Sequence, residues 1–221
     1  DSPQAEKNFG TLKPRLTQKE IMAFTQEADA YIAKTYPKLT SRTVNLNCLD
    51  MEKTLITSDG ARLYSLLPRS IFVVSLTLGK NGEPVDIYDL IGGLGQFEDH
   101  FSEPQDLYPL IAELYEHLMK KSEGVYAETG FKECILDADL AGILAHEAIG
   151  HTTEADLVLG GSVAGDYLGK QAASPLVTLV DFAHSYNGEN CPQPIYIDDE
   201  GTKAEDAVLI KEGFLKGYMH N

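Results

Sequence analysis

The sequence predicts an α+β fold: an antiparallel, hairpin-rich sheet with flanking helices, and a second half that opens on an apolar helix and returns to strands. Three observations carry this expectation. Between positions 41 and 90, apolar and polar residues alternate at the period of a strand, and Gly- and Asn-containing turn signals punctuate the alternation. On either side of that stretch, apolar residues recur at helical spacing. The composition, 43% hydrophobic and 24% charged, is that of an ordinary globular chain and excludes collagen-like and wholly disordered readings. At about 150 residues per domain, 221 residues suggest one large domain or two small ones.

The elements follow in order. Thr17 with Glu20 three residues on forms a capping box, and Ile21, Phe24, Ala28, Tyr31 and Ile32 then repeat at helical spacing until Pro37 stops the run. Val44, Leu46 and Cys48 alternate as in a strand, and segments 53–57 and 62–66 flank a Ser58-Asp59-Gly60-Ala61 turn. Segment 71–78 is β-branched and apolar, as in a central strand, and Asn81-Gly82 turns it into a strand at 85–90. The glycines at 92, 93 and 95 fit neither phosphate-loop pattern and read as a flexible or tight turn. Segment 104–123 is an amphipathic helix, with Lys120 and Lys121 favourably placed at its C-terminal end. Segment 134–136 reads as a short strand. Asp137 then caps a helix over 138–149, Gly160-Gly161 breaks the following segment, and further strands are expected at 176–180, 195–197 and 208–210. A soft division near residue 130 separates an N-terminal α+β region, 1–130, from a second region, 131–221, that begins with the apolar helix.

Charge narrows the function. With 18 basic against 34 acidic residues the chain carries −16, which repels phosphate and anionic lipid, so direct nucleic-acid binding is not expected. No apolar run approaches the roughly 18 residues of a membrane-spanning helix. Three cysteines without regular spacing fit a reducing compartment rather than a disulfide framework.

The chemistry concentrates at His146-Glu147-Ala148-Ile149-Gly150-His151. Imidazoles bind zinc, and a carboxylate beside them can take a proton from water. The spacing is unusual. Zinc helices place two histidines four residues apart on one face, whereas five residues on an ideal α-helix rotate the second ring by about 500°, roughly 140° off-face. Convergence requires a π-type turn, or a helix that loosens before His151, and Gly150 sits where such a change costs least. Without convergence, the same residues are two partly exposed histidines and a surface carboxylate. His100, His117, His184 and His220 lie in no such motif.

The run "LAHEAIGHTTEAD", with Leu136-Asp137 and Ala141-Gly142 before it and "YIDDEGT" (196–202) and "LIKEGFLKGYMHN" after it, resembles the TldD/PmbA family of zinc-dependent peptidases, also called modulators of DNA gyrase. The likeness is strongest over 136–221 and rests upstream on weaker text such as "SDG" at 58–60. In that family the catalytic half carries HExxxH and the partner half does not, so this sequence resembles the catalytic half. The resemblance implies that His146 and His151 are zinc ligands and that Glu147 is the general base. It places Glu154 and Asp156 at family positions, either as carboxylates that orient imidazole N–H groups or as solvated helix charges. It implies a third ligand, a cysteine, which Cys191 does not match because it precedes the "DDEGT" segment. That ligand is expected beyond Asn221. The chain is therefore expected to be a fragment lacking the C-terminal domain, holding little zinc and cutting little. The implied activity is cytoplasmic hydrolysis of unfolded or leader-like peptides by a homodimer, or by a heterodimer with a TldE/PmbA-like subunit, without nucleic acid or membrane. Two other classes stand beside it: a non-catalytic scaffold or partner-binding subunit of a peptidase assembly, and a gyrase-related regulator.

Overall fold

A computed structural model describes residues 2–220 and has the α+β architecture expected, with helices and antiparallel sheets in one chain. The chain divides into two compact units, one formed by 6–54 and 64–128, the other by 2–5, 55–63 and 129–220.

The first unit is built on a long hairpin. Strand β1 (Gln4–Asn8), which the polar N-terminal text did not announce, precedes helix α1 (Gln18–Thr35), whose Thr17/Glu20 capping box forms as read. The alternating segments then fuse into two long strands, β2 (Ser41–Ile56) and β3 (Arg62–Lys80). Strand β3 pairs with β2 on one side and with β1 and β4 (Glu83–Leu94) on the other. Pro68 lies inside β3 at the change of partner. Leu66 O accepts from Phe9 N–H, and Pro68 O accepts from Gly95 N–H at 2.8 Å, so the missing proline N–H falls where one neighbour ends and the next begins. Asn81 and Gly82, with φ of 54° and 87°, make the tight β3–β4 turn.

The glycines at 92 and 93 are not a turn. They pair with Ile71 and Ser70 at the end of β4, and Gly92, at φ 118°, lies so close to Ser70 that a Cβ would come within 2.1 Å of its carbonyl oxygen. His100 belongs to a short helix α2 (Phe97–His100). The expected helix at 104–123 starts as a 3-10 turn (Pro104–Leu107) and continues as α3 (Tyr108–Ser122). Phe24, Ala28 and Ile32 of α1, alternate β3 residues from Phe72 to Leu78, and Ile111, Leu114 and Leu118 of α3 form the core of this unit. Phe24, Phe72, Phe97 and Phe101 lock it with edge-on and tilted ring contacts.

The second unit has a smaller core: Ala164, Ile210 and Leu215, with Ile149, Val158, Ala173, Leu179 and Tyr218 packed against them. Segment 134–136 is irregular rather than a strand, and its apolar residue Ile135 is fully exposed. Helix α4 (Ala138–Ala145) follows, capped by Asp137, whose carboxylate accepts the Leu140 N–H at 2.8 Å. After α5 (Ala155–Leu159) come β5 (Leu179–Asp181), the hairpin of β6 (Ser185–Tyr186) and β7 (Glu189–Asn190), and the hairpin of β8 (Ala207–Lys211) and β9 (Phe214–Leu215). The β6–β7 turn is Asn187-Gly188, a strong hairpin signal that the reading of the sequence passed over. Segment 195–197 forms no strand; Ile197 makes one isolated bridge to Lys203. Within this unit Gly201 sits against Thr57 and Ala61, which fixes the "DDEGT" loop beside the tip of the β2–β3 hairpin. No helix among the described residues is long and apolar enough to cross a membrane.

Candidate metal centre

Helix α4 does not run on to residue 149. At His146 it widens into a single π turn, His146–Gly150, closed by a bond from the His151 N–H to the His146 carbonyl, and a 3-10 turn over His151–Thr153 follows. The extra residue in the π turn absorbs the rotation that would have parted the rings. The His146 and His151 ring centroids are 4.6 Å apart at an interplanar angle of 70°. Glu147 joins them: one ligand atom from each of the three residues falls within 4.8 Å of the others. His151 Nε2 is 3.9 Å from Glu147 Oε2, and His151 Nδ1 is 2.7 Å from Glu154 Oε1.

The turn is held from below. A π turn followed by a tighter one leaves carbonyls without their usual partners. Thr153, buried to 1% exposure, donates its hydroxyl to Ile149 O at 2.9 Å and Gly150 O at 3.0 Å. Thr152 donates to Ile149 O as well, and Ser162 donates to Thr152 O. Beyond the turn, Met219 bridges in parallel to Glu154, with the Met219 N–H donated to Thr153 O and the Ala155 N–H donated to Met219 O, each at 2.9 Å.

An open groove of about 670 Å³ lies beside His146, with His151 and Glu147 outside its lining. His146, Glu154, Asp156, Asp181 and His220 are its titratable lining, with Leu179, Leu209 and Met219 among its apolar wall, and no lysine or arginine contributes among the described residues. Asp156 lines the groove, but its recorded bond is local: Oδ1 accepts the Leu157 N–H at 2.9 Å. His220 lines the groove outside the three-residue group, and Cys191 lies elsewhere, half-buried, its thiol directed to Phe182 O. The contact of Glu154 with His151 was legible in part, since the two stand at i and i+3, the spacing of helical neighbours, whereas Asp156 does not. The bridge from Met219 and the groove wall from β5 and β8 are tertiary, and no local pattern announces them.

Two imidazoles on one turn are ligands that zinc takes, and the carboxylate beside them lies where it can meet a water on such an ion. Comparison with known proteins agrees in kind. The family profile for the PmbA/TldA metallopeptidase C-terminal domain matches residues 129–221. Over residues 129–221 the chain belongs to the TldD/PmbA family. A metalloprotease of Methanocaldococcus jannaschii is 31% identical over 87% of this chain and 42% of its own length. A metalloprotease TldD homologue of Haemophilus influenzae is 30% identical over 83% of this chain and 38% of its own. A zinc metalloprotease TldD homologue of Saccharolobus solfataricus is 29% identical over 52% of this chain and 25% of its own. The chain thus spans about two fifths of the length of the first two relatives. Among solved structures, a candidate modulator of DNA gyrase from Bacteroides thetaiotaomicron has a TM-score of 0.67 at 15% identity, over 94% of this chain and 48% of that one. TldE from Thermococcus kodakarensis has a TM-score of 0.59 at 16% identity, over 97% of this chain and 48% of that one. At these identities the two structures establish the shared fold. The relatives' names support a metallopeptidase at the level of the family.

Proposed function

We propose that the chain carries the metal-binding and proton-transfer part of a TldD-type zinc peptidase that hydrolyses unfolded or leader-like peptides. The observation that carries this reading is the π turn, which brings His146, Glu147 and His151 together although their spacing would part them on an α-helix. His146 and His151 would hold zinc, which, when bound, lowers the pKa of water and polarises the scissile carbonyl. Glu147, with its side chain 66% exposed and on the same turn, is free to accept the proton of the attacking water and to return it to the leaving amine. The groove beside His146 offers room for an extended peptide chain next to this ligand.

Catalytic zinc ordinarily takes three protein ligands and one open position. The proposal therefore includes a third ligand supplied from outside these 221 residues, and the isolated chain holds little zinc and cleaves little. It also places the protein in the cytoplasm, as a homodimer or paired with a TldE-like subunit. The pairing follows the family resemblance, and the −16 charge gives no support for a step that involves nucleic acid or anionic membrane.

The decisive variant is Glu147→Gln in the intact protein. It is expected to keep its zinc by atomic absorption and to lose cleavage of an unfolded peptide by 10²-fold or more, on the order of a general base's contribution. Unchanged hydrolysis would remove Glu147 from the mechanism. Zinc-free wild-type protein that still cleaves would remove the metal.

A further inference from the structure

His151 is held on both edges, and the two contacts differ in kind. Its Nδ1 lies 2.7 Å from Glu154 Oε1, a full hydrogen bond, while its Nε2 stands 3.9 Å from Glu147 Oε2, too far for one. An ionised carboxylate only accepts, so the ring proton in a neutral imidazole sits on Nδ1, and the lone pair is left on Nε2, the nitrogen that faces Glu147.

Glu154 is itself placed by backbone. It is extended, at φ −64° and ψ 128°, between the 3-10 turn and α5, and the flanking Thr153 carbonyl and Ala155 N–H are both bonded to Met219. Its side chain is 38% exposed, against 50% for His151. A solvated helix charge would have no such ladder behind it.

We propose that Glu154 is a positioning residue. Through Nδ1 it fixes the tautomer and ring angle of His151, and the Met219 ladder holds Glu154 where it can do so. Asp156, the other acidic candidate, has no part in this, because its carboxylate is occupied by its own helix start. The consequence for zinc rests on the reading proposed above; the tautomer does not.

The test uses the intact protein with Glu154→Ala, Glu154→Gln and Asp156→Asn. Long-range ¹H–¹⁵N spectra of the metal-free histidines, taken at a pH where the ¹⁵N shifts themselves show neutral rings, read the tautomer. Chelator competition reads the zinc affinity. Wild type is expected to show His151 protonated on Nδ1. Glu154→Ala is expected to shift it toward the Nε2–H form and to weaken zinc binding about 10–100-fold. Glu154→Gln keeps an acceptor for Nδ1–H and is expected to preserve the tautomer with a smaller loss of affinity. Asp156→Asn is expected to change neither readout. Glu154→Ser, too short to reach the ring, repeats the measurement if the alanine variant does not fold.

An unaltered tautomer and zinc affinity in Glu154→Ala would overturn the proposal while leaving the metal centre intact. A wild-type protein that binds no zinc, yet whose His151 tautomer shifts in Glu154→Ala, would sustain the brace and overturn the zinc reading instead.

Discussion

Gly150 is the last residue of the π turn that gathers the candidate centre, and it is buried. The sequence suggests that the bare backbone of glycine lets the helix loosen there. In the structure Gly150 has φ −49° and ψ −64°, an ordinary right-handed conformation. A Cβ would meet Ala145 O at 3.7 Å and His146 Nδ1 at 3.9 Å, which are ordinary contacts. The π turn therefore does not depend on glycine's freedom. Gly150→Ala is expected to leave zinc binding by the intact protein unchanged and to stabilise the fold by about 0.5–1 kcal/mol, read from a denaturant midpoint. Loss of zinc in that variant would show that the turn needs the bare backbone after all. The three residues of the centre were legible because their identities and spacing are local. Their convergence was legible only as a condition, since five-residue spacing states what the helix must do and not whether it does it.

At the scale of the element, the π turn persists because its neighbours absorb the carbonyls it strands. Thr153 is the buried donor in that arrangement. Thr153→Val keeps the shape and removes the hydroxyl, leaving Gly150 O without its side-chain donor. The expected loss is about 1–3 kcal/mol in a urea titration, and an unchanged midpoint would show that the remaining bonds suffice. Helix α1 carries a different liability at its far end. The Tyr36 ring stacks on Tyr115 of α3 at 4.2 Å. Burial first, then the hydrogen bond with Tyr31 and the nearby phenols and Glu116, push its hydroxyl up from 10.0 to about 12. The folded state thus keeps a proton that the unfolded chain gives up. Stability from this source is complete below about pH 10 and falls as pH rises from there toward 12. Tyr36→Phe is expected to flatten that decline in denaturant midpoints measured across the interval. An equal decline in the variant would assign it to other tyrosines. Helix α1 was legible from its capping box and apolar stripe, and α3 from its apolar stripe and its C-terminal lysines. The fusion of short alternating runs into β2 and β3 was not, because the sequence does not show that Pro68 falls where β3 changes partners.

For the whole molecule, the property that the sequence states most directly is charge, and it bears on which functional class survives. The fold is shared with a candidate modulator of DNA gyrase, but at 15% identity that likeness concerns architecture. Direct contact with DNA would need a basic track. The chain instead carries −16, and the groove at its candidate centre is lined by Glu154, Asp156 and Asp181 with no lysine or arginine among the described residues. Screening does not rescue binding at physiological salt, because a Debye length of about 8 Å leaves charges in close contact unscreened. At low salt the repulsion only grows, the reverse of what cationic DNA-binding proteins show. A labelled duplex oligonucleotide is therefore expected to give no change in fluorescence anisotropy with up to about 100 μM protein, the tight-to-loose limit of non-specific binding, and lowering the salt is expected to produce none. Binding that strengthens as salt falls would reveal a basic face hidden in the average. It would revive the regulator class, and, because a groove this acidic repels phosphate, it would place the DNA-binding track on a surface other than the candidate centre.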